Sequence, residues 1–99
     1  MVVGIVVHNE ADRLPKWLAH WKGLRPICAV DQSSEDGSAD MLREAGAYVD
    51  VTPHNHFSYP DVNMLFKMHP NEWVLIVDVD EFIDPETLDR MEAMAEDFK

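Results

Sequence analysis

Asp78, Asp80 and Glu81 stand together at the end of the apolar run Trp73-Val74-Leu75-Ile76-Val77. Such a run, bounded by polar residues, reads as a strand buried on both faces. Two carboxylates one residue apart at the carboxyl end of a strand occupy the place where open α/β sheets hold their ligands. Clustered carboxylates repel one another and are costly to desolvate unless a cation joins them. Hard oxygen donors suit Mg²⁺ or Mn²⁺, with phosphate oxygens completing the shell. The chemistry expected is a divalent-metal site for a phosphorylated ligand, and the plainer alternative is a solvated acidic turn. Two further clusters favour the first. His8-Asn9-Glu10 and Asp31-Gln32-Ser33-Ser34 also follow apolar runs, and in a parallel sheet all three strand ends would line one crevice.

The elements that must position these clusters alternate along the chain. Val2 to Val7 is a β-rich run, and Asn9 is the expected N-cap of a helix whose apolar face is Leu14, Trp17, Leu18, Trp21 and Leu24. Ile27 to Val30 forms a second strand closing on Asp31, and Asp36 or Ser34 is placed to cap a helix through Glu44 that Gly46 ends. Ala47 to Val51 is a third strand. A short helix after Pro60 carries Val62, Leu65, Phe66 and His69 on one side, and Trp73 to Val77 is the fourth strand. Asp84-Pro85-Glu86 opens a last helix, with Leu88, Met91, Ala95 and Phe98 on its apolar face. Strands alternating with helices predict an α/β fold, a parallel sheet with helices on its faces.

Ninety-nine residues allow one domain, and 46% hydrophobic content with three tryptophans argues for a folded one. Eight basic against nineteen acidic residues give a net charge of −11, which disfavours nonspecific binding to nucleic acid or to anionic membrane surfaces. An anionic substrate must then be met by a metal ion, backbone N–H groups or a few local cations. Cys28 is alone, no apolar stretch approaches the length of a membrane span, and the N-terminus lacks a signal-type pattern. The expected setting is soluble and cytoplasmic.

Taken in order, His8-Asn9-Glu10-Ala11, then Val30-Asp31-x-x-Ser34-x-Asp36-Gly37-Ser38, then Glu72-Trp73-Val74 leading into Asp78-Val79-Asp80-Glu81-Phe82 resemble family 2 glycosyltransferases, in the branch carrying D-x-D-E-F. The resemblance spans residues 2 to about 90. It implies the nucleotide-binding GT-A fold, here as a truncated version with four mostly parallel strands and helices on both faces. It also implies a nucleoside diphosphate sugar donor and Mn²⁺ or Mg²⁺. Carried over by residue, His8, Asn9 and Glu10 would line the base and ribose pocket, and Asp31 would accept hydrogen bonds from the nucleoside. Gln32, also placed among the substrate-binding residues, departs from the Asp or Asn common at its place, which bears on base preference; Asp78 would reach the ribose or the metal, and Asp80 would bind the metal. The family continues past this length with an acceptor-binding region and a general base, for which no residue here matches. The resemblance therefore implies a donor-binding half, residues 1–99, transferring a sugar to an unknown acceptor hydroxyl. A split enzyme and a non-catalytic nucleotide-binding or assembly module stand as alternatives, and a homodimer or a complementary C-terminal chain is the expected partner.

Other features read more plainly. His54 and His56 form a conceivable metal pair but lack a third ligand nearby. Asn63 and Lys67 either face the donor phosphates or belong to a solvated helix face. Trp17 and Trp21 read as core, and Cys28 as a small buried hydrophobe. A haloacid-dehalogenase-type phosphatase would carry its D-x-D after the first strand, and a sugar nucleotidyltransferase a glycine-rich loop there; this chain has neither.

Overall fold

A computed structural model describes residues 1–54 and 59–98 of the chain. The elements follow in the order β1 (Val2–Val7), α1 (Leu14–Trp21), β2 (Ile27–Asp31), α2 (Ser38–Glu44), β3 (Tyr48–Val51), α3 (Tyr59–Met68), β4 (Val74–Ile76) and α4 (Pro85–Glu96). All four strands are parallel, in the order β3-β2-β1-β4. The chain steps outward from β1 to β3, then returns to the other side of β1 for β4. That reversal is the topological switch point at which such sheets take ligands.

Alternation along the strands divides the core in two. Val3, Ile5 and Val7 of β1, with Ile27 and Ala29 of β2, pack against Leu14, Trp17, Leu18 and Trp21 of α1, Leu42 of α2 and Leu88 of α4. On the other face Val2, Cys28 and Val30 meet Leu65 of α3. Gly4 lets α3 approach, because a Cβ there would stand 3.2 Å from Leu65 Cδ1 and 3.1 Å from Val74 Cγ1. Arg25 joins α4 to the end of α1 through Glu92 at 2.9 Å and Asp89 at 2.7 Å.

Local signals set several boundaries. Gly46, at φ 89°, ends α2 with Gly46 N–H donating to Arg43 O and Ala47 N–H to Leu42 O, both at 3.0 Å. Asp84 caps α4 by accepting from Thr87 N–H at 3.0 Å, with Pro85 in the first turn.

Four expectations are corrected. Helix α1 starts at Leu14 and not after Asn9, because Asn9 is drawn into a left-handed conformation, φ 52°, by bonds to the loop after β2. The N-cap position of α2 is Gly37, although Asp36 still accepts from Ser38 N–H at 3.1 Å. Strand β4 is half-buried and borders the sheet among the described residues, rather than being enclosed on both faces. Phe66 and Phe98 are exposed, since Leu65 and Leu88 are the residues that α3 and α4 turn fully inward.

Candidate functional site

The register fixes how the three polar clusters meet. Val7 pairs with Asp31, and Gly4 with Ile76, after which Val77 N–H donates to Gly4 O at 2.9 Å. Asp31, at the end of β2, and Asp78, two residues beyond β4, therefore lie on opposite sides of β1. All three strand ends do share one edge.

The first two clusters are laced together. Gln32 N–H donates to Val7 O at 2.8 Å, and His8 Nδ1–H donates to Gln32 O at 2.6 Å. Asn9 N–H donates to Ser34 Oγ at 2.8 Å, Glu10 N–H to Ser38 Oγ at 2.9 Å and Ala11 N–H to Asp36 Oδ2 at 2.9 Å. Glu35 N–H returns a bond to Asn9 Oδ1 at 2.8 Å. The Ser38 hydroxyl and the Ala11 N–H hold the Asp36 carboxyl below its ordinary range. Ser34, Asp36 and Ser38 thus work as staples between loops, a role with no local signature because their partners lie at least 25 residues away.

Asp31 ends β2 fully buried. Its Oδ2 accepts from Ser34 N–H at 3.0 Å, while Oδ1 has no hydrogen-bond partner among the described residues. A buried acceptor in that condition is costly unless a ligand completes it. Gln32 is buried as well, and its Nε2–H donates to Asp61 Oδ2 at 2.8 Å. Asp61, at the start of α3, also accepts from Thr52 Oγ1 at 3.2 Å and His54 Nδ1 at 2.7 Å. Burial alone would push the Asp61 carboxyl up, but the bonds from Gln32, His54 and Thr52 outweigh it and leave the carboxyl below its ordinary value. His54 is therefore committed to Asp61, and His56 lies outside the described residues.

The third cluster is a turn. Asp78 N–H donates to Glu81 Oε1 at 2.7 Å and Glu81 N–H to Asp78 O at 3.0 Å, so Glu81 closes the turn. The Asp78 and Asp80 side chains are exposed and carry no hydrogen bond or ion pair among the described residues. Two exposed carboxylates on one hydrogen-bonded turn match what Mg²⁺ or Mn²⁺ takes from protein when phosphate oxygens and water fill the rest. No group of three or more His, Cys, Asp or Glu side chains able to hold a metal occurs among the described residues. The donor set fits an ion shared with a phosphorylated ligand, not a closed protein cage.

Cations also reach this turn. A hollow of about 250 Å³ between α1 and the turn is lined by Asp12, Arg13, Lys16, Val79, Asp80 and Phe82. The Lys16 ammonium lies 5.3 Å from the centre of the Phe82 ring. Lys67 is elsewhere. Helix α3 begins at the carboxyl edge, where Asp61 meets Gln32, so Lys67 near its end lies beside Tyr48 and Asp50 at the opposite side of the sheet. The solvated-face reading holds for it.

Among known proteins, the Glycosyl transferase family 2 description matches residues 2–99. Undecaprenyl-phosphate 4-deoxy-4-formamido-L-arabinose transferase of Pseudomonas fluorescens (strain Pf0-1) is 33% identical over a 105-residue alignment covering 93% of this chain and 31% of that protein. The crystal structure of S. aureus TarS 1–349 superposes with a TM-score of 0.77 at 22% identity, over 97% of this chain and 32% of that one. TarS 1–349 in complex with UDP gives 0.69 at 25% identity. The chain spans about a third of the length of each of these relatives. No helix among the described residues is long and apolar enough to cross a membrane.

Proposed function

The chain belongs to glycosyl transferase family 2, and on that premise we propose that its crevice binds a nucleoside diphosphate sugar as the donor portion of a metal-dependent glycosyltransferase. The observation that carries this reading is the unpartnered, buried Asp31 Oδ1 on one side of β1, with the free carboxylates of Asp78 and Asp80 on the other. Asp31 would accept from the nucleoside, beside His8, Asn9 and Glu10 on the stapled loop. Gln32 acts from behind, its carbonyl holding the His8 ring and its amide tied to Asp61.

Asp78 and Asp80 would hold Mn²⁺ or Mg²⁺, which supplies charge neutralisation at the departing diphosphate. Arg13 and Lys16 face the same hollow as Asp80 and supply the local cations that a chain of net charge −11 needs there. The acceptor, its activating base and the sugar transfer itself would require contributions beyond these residues. A second copy of this chain would seat at the β4 side, where Trp73 is 41% exposed.

Calorimetry with UDP, in Mn²⁺ and then in chelator, tests the reading. Affinity should be higher with Mn²⁺, and Asp80→Ala should remove the gain. Equal affinity in both conditions, or a normal Asp80→Ala protein, refutes the metal role.

A further inference from the structure

The acidic turn is fixed from outside by one helix. Trp17 Nε1–H donates to Asp78 O at 3.1 Å and Trp21 Nε1–H to Glu81 O at 3.0 Å. Between them His20 Nε2–H donates to Ile83 O at 2.6 Å. Three donors within five residues of α1 thus hold carbonyls at the start of the turn, at its close and just beyond it.

Core packing explains the tryptophan rings, both fully buried, but not where their N–H groups point. A buried indole N–H demands an acceptor. Both reach the single segment that carries Asp78 and Asp80. The Asp78–Glu81 bonds give the turn its internal shape; the α1 donors, together with Val79 and Ile83 packed against the main core, hold it in place relative to the sheet. Phe82 rests edge-on against the His20 ring at 5.5 Å and so shares the same anchor. Two exposed like charges repel, and a loosely held turn would let them splay. A turn held in advance spares a ligand the cost of ordering it.

We infer that Trp17, His20 and Trp21 are positioning residues for the metal and diphosphate half of the donor site. The inference rests on the metal-dependent reading above and deepens it, since it assigns the two halves of the crevice to different sets of donors. The nucleoside half is built by the staples of Ser34, Asp36 and Ser38. The phosphate half is built by the N–H groups of α1.

The test is the Mn²⁺-dependent gain in UDP affinity in Trp17→Phe and Trp21→Phe, which keep a ring and remove the N–H. Each should lower the gain about tenfold and leave UDP affinity in chelator unchanged. Amide hydrogen exchange without ligand should rise at residues 78–83 and not at 8–10 or 31–38. His20→Gln, which keeps a donor near the Nε2 position, should retain the gain that His20→Leu loses. A wild-type gain that survives in both tryptophan variants overturns the inference alone, as does an equal loss with and without Mn²⁺. A wild-type protein with no Mn²⁺ gain overturns the metal reading and this inference with it.

Discussion

Replacing Asp31 by Asn should make the free protein more stable and the complex weaker. The native carboxylate is fully buried with one oxygen bonded to Ser34 N–H and the other unpartnered. An unsatisfied buried charged group costs about 1–3 kcal/mol or more, and the amide removes that charge. Against this, the bond from Ser34 N–H loses its charge assistance, about 1 kcal/mol. The balance is a stabilisation of about 1 kcal/mol, which for a domain of this size raises Tm by about 4–8 °C. The ligand meets the opposite sign. A nucleoside N–H that would have donated to a free carboxylate oxygen loses a charged hydrogen bond of about 1.5–3 kcal/mol, or roughly 10- to 150-fold in affinity. An amide turned to present its oxygen to the ligand would have to release Ser34. Differential scanning calorimetry and UDP titration on the same preparation read both quantities. A Tm lowered by more than about 4 °C with UDP affinity unchanged would mean that the carboxylate serves the fold and not a ligand.

Leu65→Ala should cost about 2–5 kcal/mol in urea unfolding, because Leu65 is the one fully buried hydrophobic residue that α3 gives to its face of the sheet. Asp61 has its carboxyl held below the ordinary value, so the stability it contributes is present above about pH 4 and is lost as pH falls through its folded value. Asp61→Asn should therefore flatten the acid limb of a stability-against-pH curve, and an unchanged limb would remove Asp61 from that balance. Burial pushes the Cys28 thiol up to about 11, so a disulfide reagent at pH 8 should react slowly with native protein and rapidly in urea; fast labelling of the native form would contradict the packing around Gly4.

The described elements and their order were legible because each is short, is either a brief apolar run or apolar at helical spacing, and is bounded by turn residues, as Gly46 and Asp84-Pro85 illustrate. The three polar strand ends were legible for the same reason, since a parallel sheet brings its carboxyl ends to one edge. What escaped was set by tertiary partners. Asn9 has the composition of a helix cap, but Ser34 and Glu35 bind it 25 and 26 residues away and leave no trace in its neighbours. Trp17 and Trp21 have the spacing of core residues, and their N–H groups reach 61 and 60 residues along the chain. Lys67 looked suitable by charge alone, and only the antiparallel run of α3 puts it at the wrong end.

The strand order also shapes the birth of the molecule. Strand β1 is central and pairs with β2 on one edge and β4 on the other. Translation at about 5–20 residues per second separates the emergence of β1 from that of β4, roughly 70 residues later, by several seconds. Through that interval a β1–β2–β3 nucleus must leave the β1 edge open as well as the outer edge of β3, the kind of surface on which neighbouring chains pair. The same interval leaves Trp17 and Trp21 without their acceptors, since the carbonyls of Asp78 and Glu81 follow β4. Ribosome-stalled chains of increasing length should accordingly gain protease resistance over residues 2–21 in two steps, the second only once the acidic turn has left the exit tunnel.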